Sequence, residues 1–258
     1  MVDPEMPAED APEQEAPPTP QSSIRPFDGL KRALAVAAVT VAAAVLLSYF
    51  APAEWANTAV GFCFLAATWL TVLRRDSAWI QMHGLSFGGI AEPTALDIPR
   101  LGRKLLLAVA WALLFAVLFF PPFFFGFRAW WNVSDFRWFI PPRTVDLVLG
   151  QVLVVALPEE AFFRGYLQST LEAHFADRRW RVVGAELGLG TILSSLIFAL
   201  GHVFTIPVPA RLAVFFPSLL FGWLRVRTGG VGASILFHAL CNIYSAWLVQ
   251  SAGLAGSG

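Results

Sequence analysis

Leu157-Pro158-Glu159-Glu160-Ala161-Phe162-Phe163-Arg164 is the stretch on which the reading of this chain turns. It continues an apolar run, Val145 to Leu157, broken only by Asp146, Gly150 and Gln151. Two adjacent carboxylates and a guanidinium therefore lie in or beside a membrane-spanning helix. Each such charge costs roughly 2.5–3.5 kcal/mol at mid-bilayer on insertion scales. Three unpaired central charges would cost on the order of 8–10 kcal/mol, comparable to the stability of a whole domain. Charges survive there only when they face a protein interior or a wet cavity, which makes the cluster a candidate functional site.

The whole composition agrees with a membrane location. Of the 258 residues 57% are hydrophobic and only 14% charged, against about 25% charged in soluble domains, and the mean hydropathy is +0.62. Lys plus Arg equals Asp plus Glu, so no charge excess points to nucleic acid. Cys63 and Cys241 sit alone in apolar runs, too few and too isolated for a disulfide framework or a zinc knuckle.

Largely apolar runs of 15 to 29 residues, around the ~20 a helix needs to cross, recur at about 33–50, 56–73, 105–125, 144–172, 182–202, 210–224 and 231–249. The third is interrupted near its end by Pro121-Pro122. The expected fold is all-α and polytopic, with about seven transmembrane helices and the active site within the last four. Residues 1–26, rich in Pro, Glu and Ala, read as a disordered cytoplasmic tail. Residues 27–143 read as N-terminal transmembrane helices with an interfacial linker, and 144–258 as the catalytic membrane domain. Basic clusters at 25–32, 74–75 with 100–104, 178–181 and 225–227 mark alternate ends. By the positive-inside rule the N-terminus is cytoplasmic in a multi-pass protein of the cell membrane. The Trp-rich loop with Arg128, Arg137 and Arg143 runs against that pattern.

On a helix, Glu160 and Arg164 stand four apart on one face in the favourable acid-first order. Glu159 lies about 100° away, on the face of Phe163 and Tyr166. One carboxylate is then structural and the other free to act. Pro158 lacks an N–H and is expected to bend the helix beside them. His202 closes the fifth span, and His238 and Asn242 share one face of the seventh. A carboxylate beside an imidazole can deprotonate water, and a further His and Asn can donate to a developing oxyanion. Those are the parts of a hydrolase with no covalent intermediate. A uniformly helical fifth span starting at Val182 would put His202 roughly 30 Å from its inner end, away from Glu159. A crossing that starts after Gly184, Gly188 and Gly190 removes that difficulty.

Glu159-Glu160-x-x-x-Arg164, Phe198-x-x-x-His202 and His238-x-x-x-Asn242, in this order, resemble the three motifs of the CAAX-protease and bacteriocin-processing family of glutamic intramembrane endopeptidases. The resemblance covers about residues 144–250. It implies Glu159 as general base, with His202 helping to activate the water. It implies His238 and Asn242 at the oxyanion, Glu160 and Arg164 shaping the site, and no cofactor. The implied partner is a membrane-associated protein substrate, in myxosortase-type members one with a C-terminal sorting signal. Other readings are a zinc peptidase using Glu159, His202 and His238, a non-catalytic binding or immunity protein, and, less well supported without repeat symmetry, a transporter.

Overall fold

The structure is a computed structural model describing residues 29–138 and 143–254; the acidic tail, 1–26, lies outside the described residues. Helices α1 (Leu30–Phe50) and α2 (Ala56–Thr68, extended by a π turn, Trp69–Leu73) form an antiparallel pair. Ala33, Ala37, Thr40 and Ala44, the buried side of α1, are small at helical spacing, which lets backbones approach. After a short α3 (Ser77–Met82), capped by Asp76, helix α4 runs from Ile98 to Trp131. Pro121 and Pro122 lie inside α4 without ending it, so the expected interruption does not occur. Only Ala108, Ala112 and Phe115 of α4 are buried. Its other faces carry exposed leucines, valines and phenylalanines, as suits a helix bathed in lipid.

Residues 144–174 are helical throughout but not uniform. Three α segments, α5 (Thr144–Leu149), α6 (Leu157–Glu160) and α7 (Ser169–His174), alternate with π segments Gly150–Ala156 and Ala161–Gln168. The expected bend at Pro158 thus takes the form of π turns on both sides of the acids, a feature frequent at functional sites. The i→i+5 ladder turns less per residue than an α-helix. Tyr166, seven residues past Glu159, therefore leaves the Glu159 face and is buried in the core.

The stretch 179–188, which from Val182 on is expected from sequence to begin the fifth span, is a β-hairpin. β1 (Arg179–Val182) pairs antiparallel with β2 (Ala185–Gly188). Val183 and Gly184, at φ 46° and 77°, make the tight turn, whose left-handed pair matches the twist of the strands. Helix α8 (Leu189–Thr205) starts only afterwards, so His202 lies roughly 20 Å from that end rather than 30 Å. The Glu172 carboxylate accepts from Gly188 N (3.1 Å), Thr191 N (2.9 Å) and Thr191 Oγ1 (2.7 Å), satisfying donors that a helix N-terminus leaves open. A 3₁₀ turn (Pro209–Val214), α9 (Phe215–Thr228) and α10 (Gly232–Ser251) complete the chain.

Four helices, Leu30–Phe50, Ala56–Leu73, Ile98–Trp131 and Gly232–Ser251, are long and apolar enough to cross a membrane; Leu189–Thr205 is apolar but shorter. The other two expected spans are helical but broken by π turns or short. One apolar cluster surrounds the acid-bearing helix, with Phe162, Phe163, Tyr166 and Leu167 against Phe64, Val72, Ile80 and Phe198. A second joins α4, α9 and α10 through Phe115, Phe221, Trp223 and Phe237.

The first cluster depends on close backbone contact. A Cβ added to Gly61 of α2 would overlap the carbonyl oxygen of Val154 in the π segment, which cannot swing aside as a side chain can. Gly61→Ala is therefore expected to cost about 1–3 kcal/mol, as overpacking does. A lowered melting temperature in detergent checks this; an unchanged one would mean that α2 and the acid-bearing helix separate freely.

Candidate active site

Glu160 and Arg164 are fully buried, and their side chains meet at 3.1 Å (Arg164 Nη1 to Glu160 Oε1). The four-residue spacing thus closes as an ion pair even in π geometry. Arg164 Nη2 also donates to Ser218 Oγ (2.6 Å) and Ser218 O (3.1 Å) on α9. Its guanidinium carbon stands 4.5 Å from the ring centre of Phe198 and 5.2 Å from that of Phe221. Cation–π attraction is strongest in such desolvated surroundings.

His238 Nδ1 lies 3.0 Å from the same Glu160 oxygen. A carboxylate held by a guanidinium only accepts, so this assigns the Nδ1 proton to His238. The opposite nitrogen, Nε2, then faces Glu159 Oε2 at 3.7 Å, too long for a direct hydrogen bond. Glu159 Oε2 is buried without a hydrogen-bond partner among the described residues, although its side chain as a whole is 13% exposed. The two adjacent carboxylates thus bracket one imidazole. Glu160 fixes its tautomer and orientation, and Glu159 faces its free edge.

Glu159, His202 and Asn242 line one cavity of about 740 Å3, together with Gln151, Phe163 and Phe198. His202 Nδ1 is 3.0 Å from Phe198 O one turn back, and its ring packs on that of Phe198 at 4.4 Å. The other face of the site is closed by Phe221, stacked on His238 at 4.8 Å. Asn242 Nδ2 donates to Gln151 Oε1 (3.0 Å), which leaves the amide a second hydrogen to offer. The fold brings all six residues expected from sequence to one region, with Glu160 and Arg164 paired. His238, assigned by the resemblance to the oxyanion, stands against both glutamates.

Three contributors carry no sequence signal of their own role. Ser218 is one serine in an aromatic helix, yet it receives the buried guanidinium. Gln151 is legible only as a polar break in the apolar run, and it holds Asn242. Phe198 is one of 23 phenylalanines, but its ring touches His202 and His238 and lies under Arg164.

Removing one partner of a buried pair strands the other, at a cost of roughly 3–5 kcal/mol. Arg164→Ala should therefore reduce accumulation and lower the melting temperature in detergent as well as activity. Normal accumulation with an unchanged melting temperature would show that Glu160 needs no buried partner.

Comparison with known proteins places this region. Residues 141–244 match the family model described as Rce1-like, Type II CAAX prenyl endopeptidase Rce1-like. No curated protein and no solved structure matches the chain. The matched stretch contains Glu159, Glu160, Arg164, His202, His238 and Asn242. Over residues 141–244 the chain is similar to the Rce1-like Type II CAAX prenyl endopeptidases, a likeness that supports a peptidase acting on a membrane-associated protein.

Proposed function

We propose that this chain is a glutamic intramembrane endopeptidase of the cell membrane that hydrolyses a peptide bond with water activated by Glu159, without a metal. The observation that carries the reading is the division between the two acids. Each keeps one oxygen without a hydrogen-bond partner among the described residues, but Glu160 is fully buried and held by Arg164 and His238, whereas Glu159 lines the cavity that His202 and Asn242 also line. A carboxylate with a free lone pair in a partly dry site can take a proton from water. The hydroxide so formed attacks the scissile carbonyl, and Glu159 returns the proton to the leaving amine. His202 helps to hold the water. Asn242 Nδ2 donates to the oxyanion, and so does His238 Nε2 in its doubly protonated form, the Nδ1–H being committed to Glu160. The substrate is a membrane-anchored protein, C-terminal sorting signals included. The basic clusters orient the chain with its N-terminus in the cytoplasm.

Among the described residues, no group of three His, Cys, Asp or Glu side chains is arranged to hold a metal ion. The alternatives are separated by cleavage of a membrane-anchored substrate by purified protein in detergent. A substrate is found by comparing protein termini in cells with and without the chain. Glu159→Gln keeps the shape but cannot accept a proton, and should lose roughly 10²–10⁴-fold or more, since general-base catalysis supplies that much. Asn242→Ala should lose roughly 10²–10³-fold, as for one oxyanion donor. A strong chelator should leave the rate unchanged. Full activity in Glu159→Gln, or loss with chelator restored by Zn²⁺, would sink the mechanism.

A further inference from the structure

We infer that the catalytic cavity opens on the extracytoplasmic face, so that the substrate is a segment already translocated across the membrane. Calling the occupant a substrate rests on the peptidase reading above; the direction of the opening does not.

The two ends of the bundle are distinguishable by their contacts. At one end Glu172, at the close of the acid-bearing helix, caps the start of α8. There Arg225 Nη2, near the end of α9, donates to Met82 O (2.9 Å), and Val231 N, beside the start of α10, to Gly84 O (3.0 Å). Lys104, near the start of α4, donates to Ser86 O (2.6 Å) in the same loop. At the other end Tyr49 Oη of α1 donates to Phe204 O of α8 (3.0 Å), and Arg137 N to Ser251 O at the close of α10 (2.9 Å).

The basic clusters at 31–32, 74–75, 100–104, 178–181 and 225–227 all fall at the first end. Arg128, Arg137, Arg143 and Arg211 fall at the second. Lys and Arg close to helix ends set orientation, and this excess assigns the first end to the cytoplasm.

Every helix that lines the catalytic cavity does so away from its basic end. The rim is polar and lies at the second end, with Ser48, Asn57, Thr205, Arg211, Ser245 and Gln250. Toward the first end the cavity is floored by Glu159, Phe163 and Phe198, and beyond that floor every residue from Ala161 to Gln168 is buried. A second cavity, of about 310 Å3, is lined by Gly84 and Lys104 and belongs to the basic end. It shares no lining residue with the first, so the two are separate cavities among the described residues. Water and substrate reach Glu159 from the outer side, where a peptide must already be exported.

Single cysteines in a variant lacking Cys63 and Cys241 test this in intact cells with a membrane-impermeant maleimide. Asn57→Cys and Gln250→Cys, at the rim, should label as fully in intact as in permeabilised cells. Ala176→Cys, in the turn between α7 and β1, should label only after permeabilisation. Any other pattern overturns the inference: residue 176 labelling in intact cells, or residues 57 and 250 needing permeabilisation or not labelling at all. The same labelling in a Glu159→Gln background reads the orientation independently of catalysis, so loss of cleavage cannot be mistaken for a wrong face.

Discussion

The constraint on which this structure depends is the burial of the Glu160–Arg164 pair in an apolar bundle. Attraction in a low-dielectric interior repays desolvation only when the remaining donors and acceptors are satisfied as well. Arg164 meets that condition in large part through Ser218 and two aromatic rings, and one oxygen of Glu160 through His238, while Glu160 Oε2 stays without a hydrogen-bond partner among the described residues. Helices α8, α9 and α10 are each tied to the acid-bearing helix through these groups. The pair therefore fixes where the last helices stand and which nitrogen of His238 carries its proton.

The proposed mechanism uses what the pair leaves over. One carboxylate holds an imidazole, and in that mechanism its neighbour is the group that reacts. The π segments on either side of Glu159 and Glu160 keep both acids on a helix while turning Tyr166 into the core. They are a local departure from the best hydrogen-bonded geometry beside the two acids. The cavity is more polar on one side. Its α1 and α2 wall is largely small and apolar, while Gln151, His202 and Asn242 come from helices that also pack on the acid pair.

Much of this was legible in the sequence because charges inside apolar runs are costly and therefore informative. Glu160 and Arg164, four apart, announced a pair; His202, His238 and Asn242 stood out against their spans. The hairpin at 179–188 was hidden because Trp180, Val182, Val183 and Leu187 read as apolar whether they form a strand or a helix. Hydropathy likewise merged it with α8 and misplaced the start of that helix. Pro121-Pro122 suggested an interruption of α4 because proline removes a hydrogen bond, yet the helix continues, packed on α10 through Phe120 and Tyr244. Ser218 and Gln151 were illegible for a different reason. Their roles come from partners 54 and 91 residues away, and no local pattern encodes such distances.

The central claim is that two adjacent glutamates divide the work, one holding the structure and one performing chemistry. The most direct measurement compares the melting temperatures in detergent of Glu159→Gln and Glu160→Gln with that of the unaltered protein. The account predicts that Glu160→Gln melts far lower, because it strands Arg164. It predicts that Glu159→Gln melts at or above the unaltered protein, because reactive buried charges are kept at a cost to stability. The reverse order, or an equal loss in both, would contradict it.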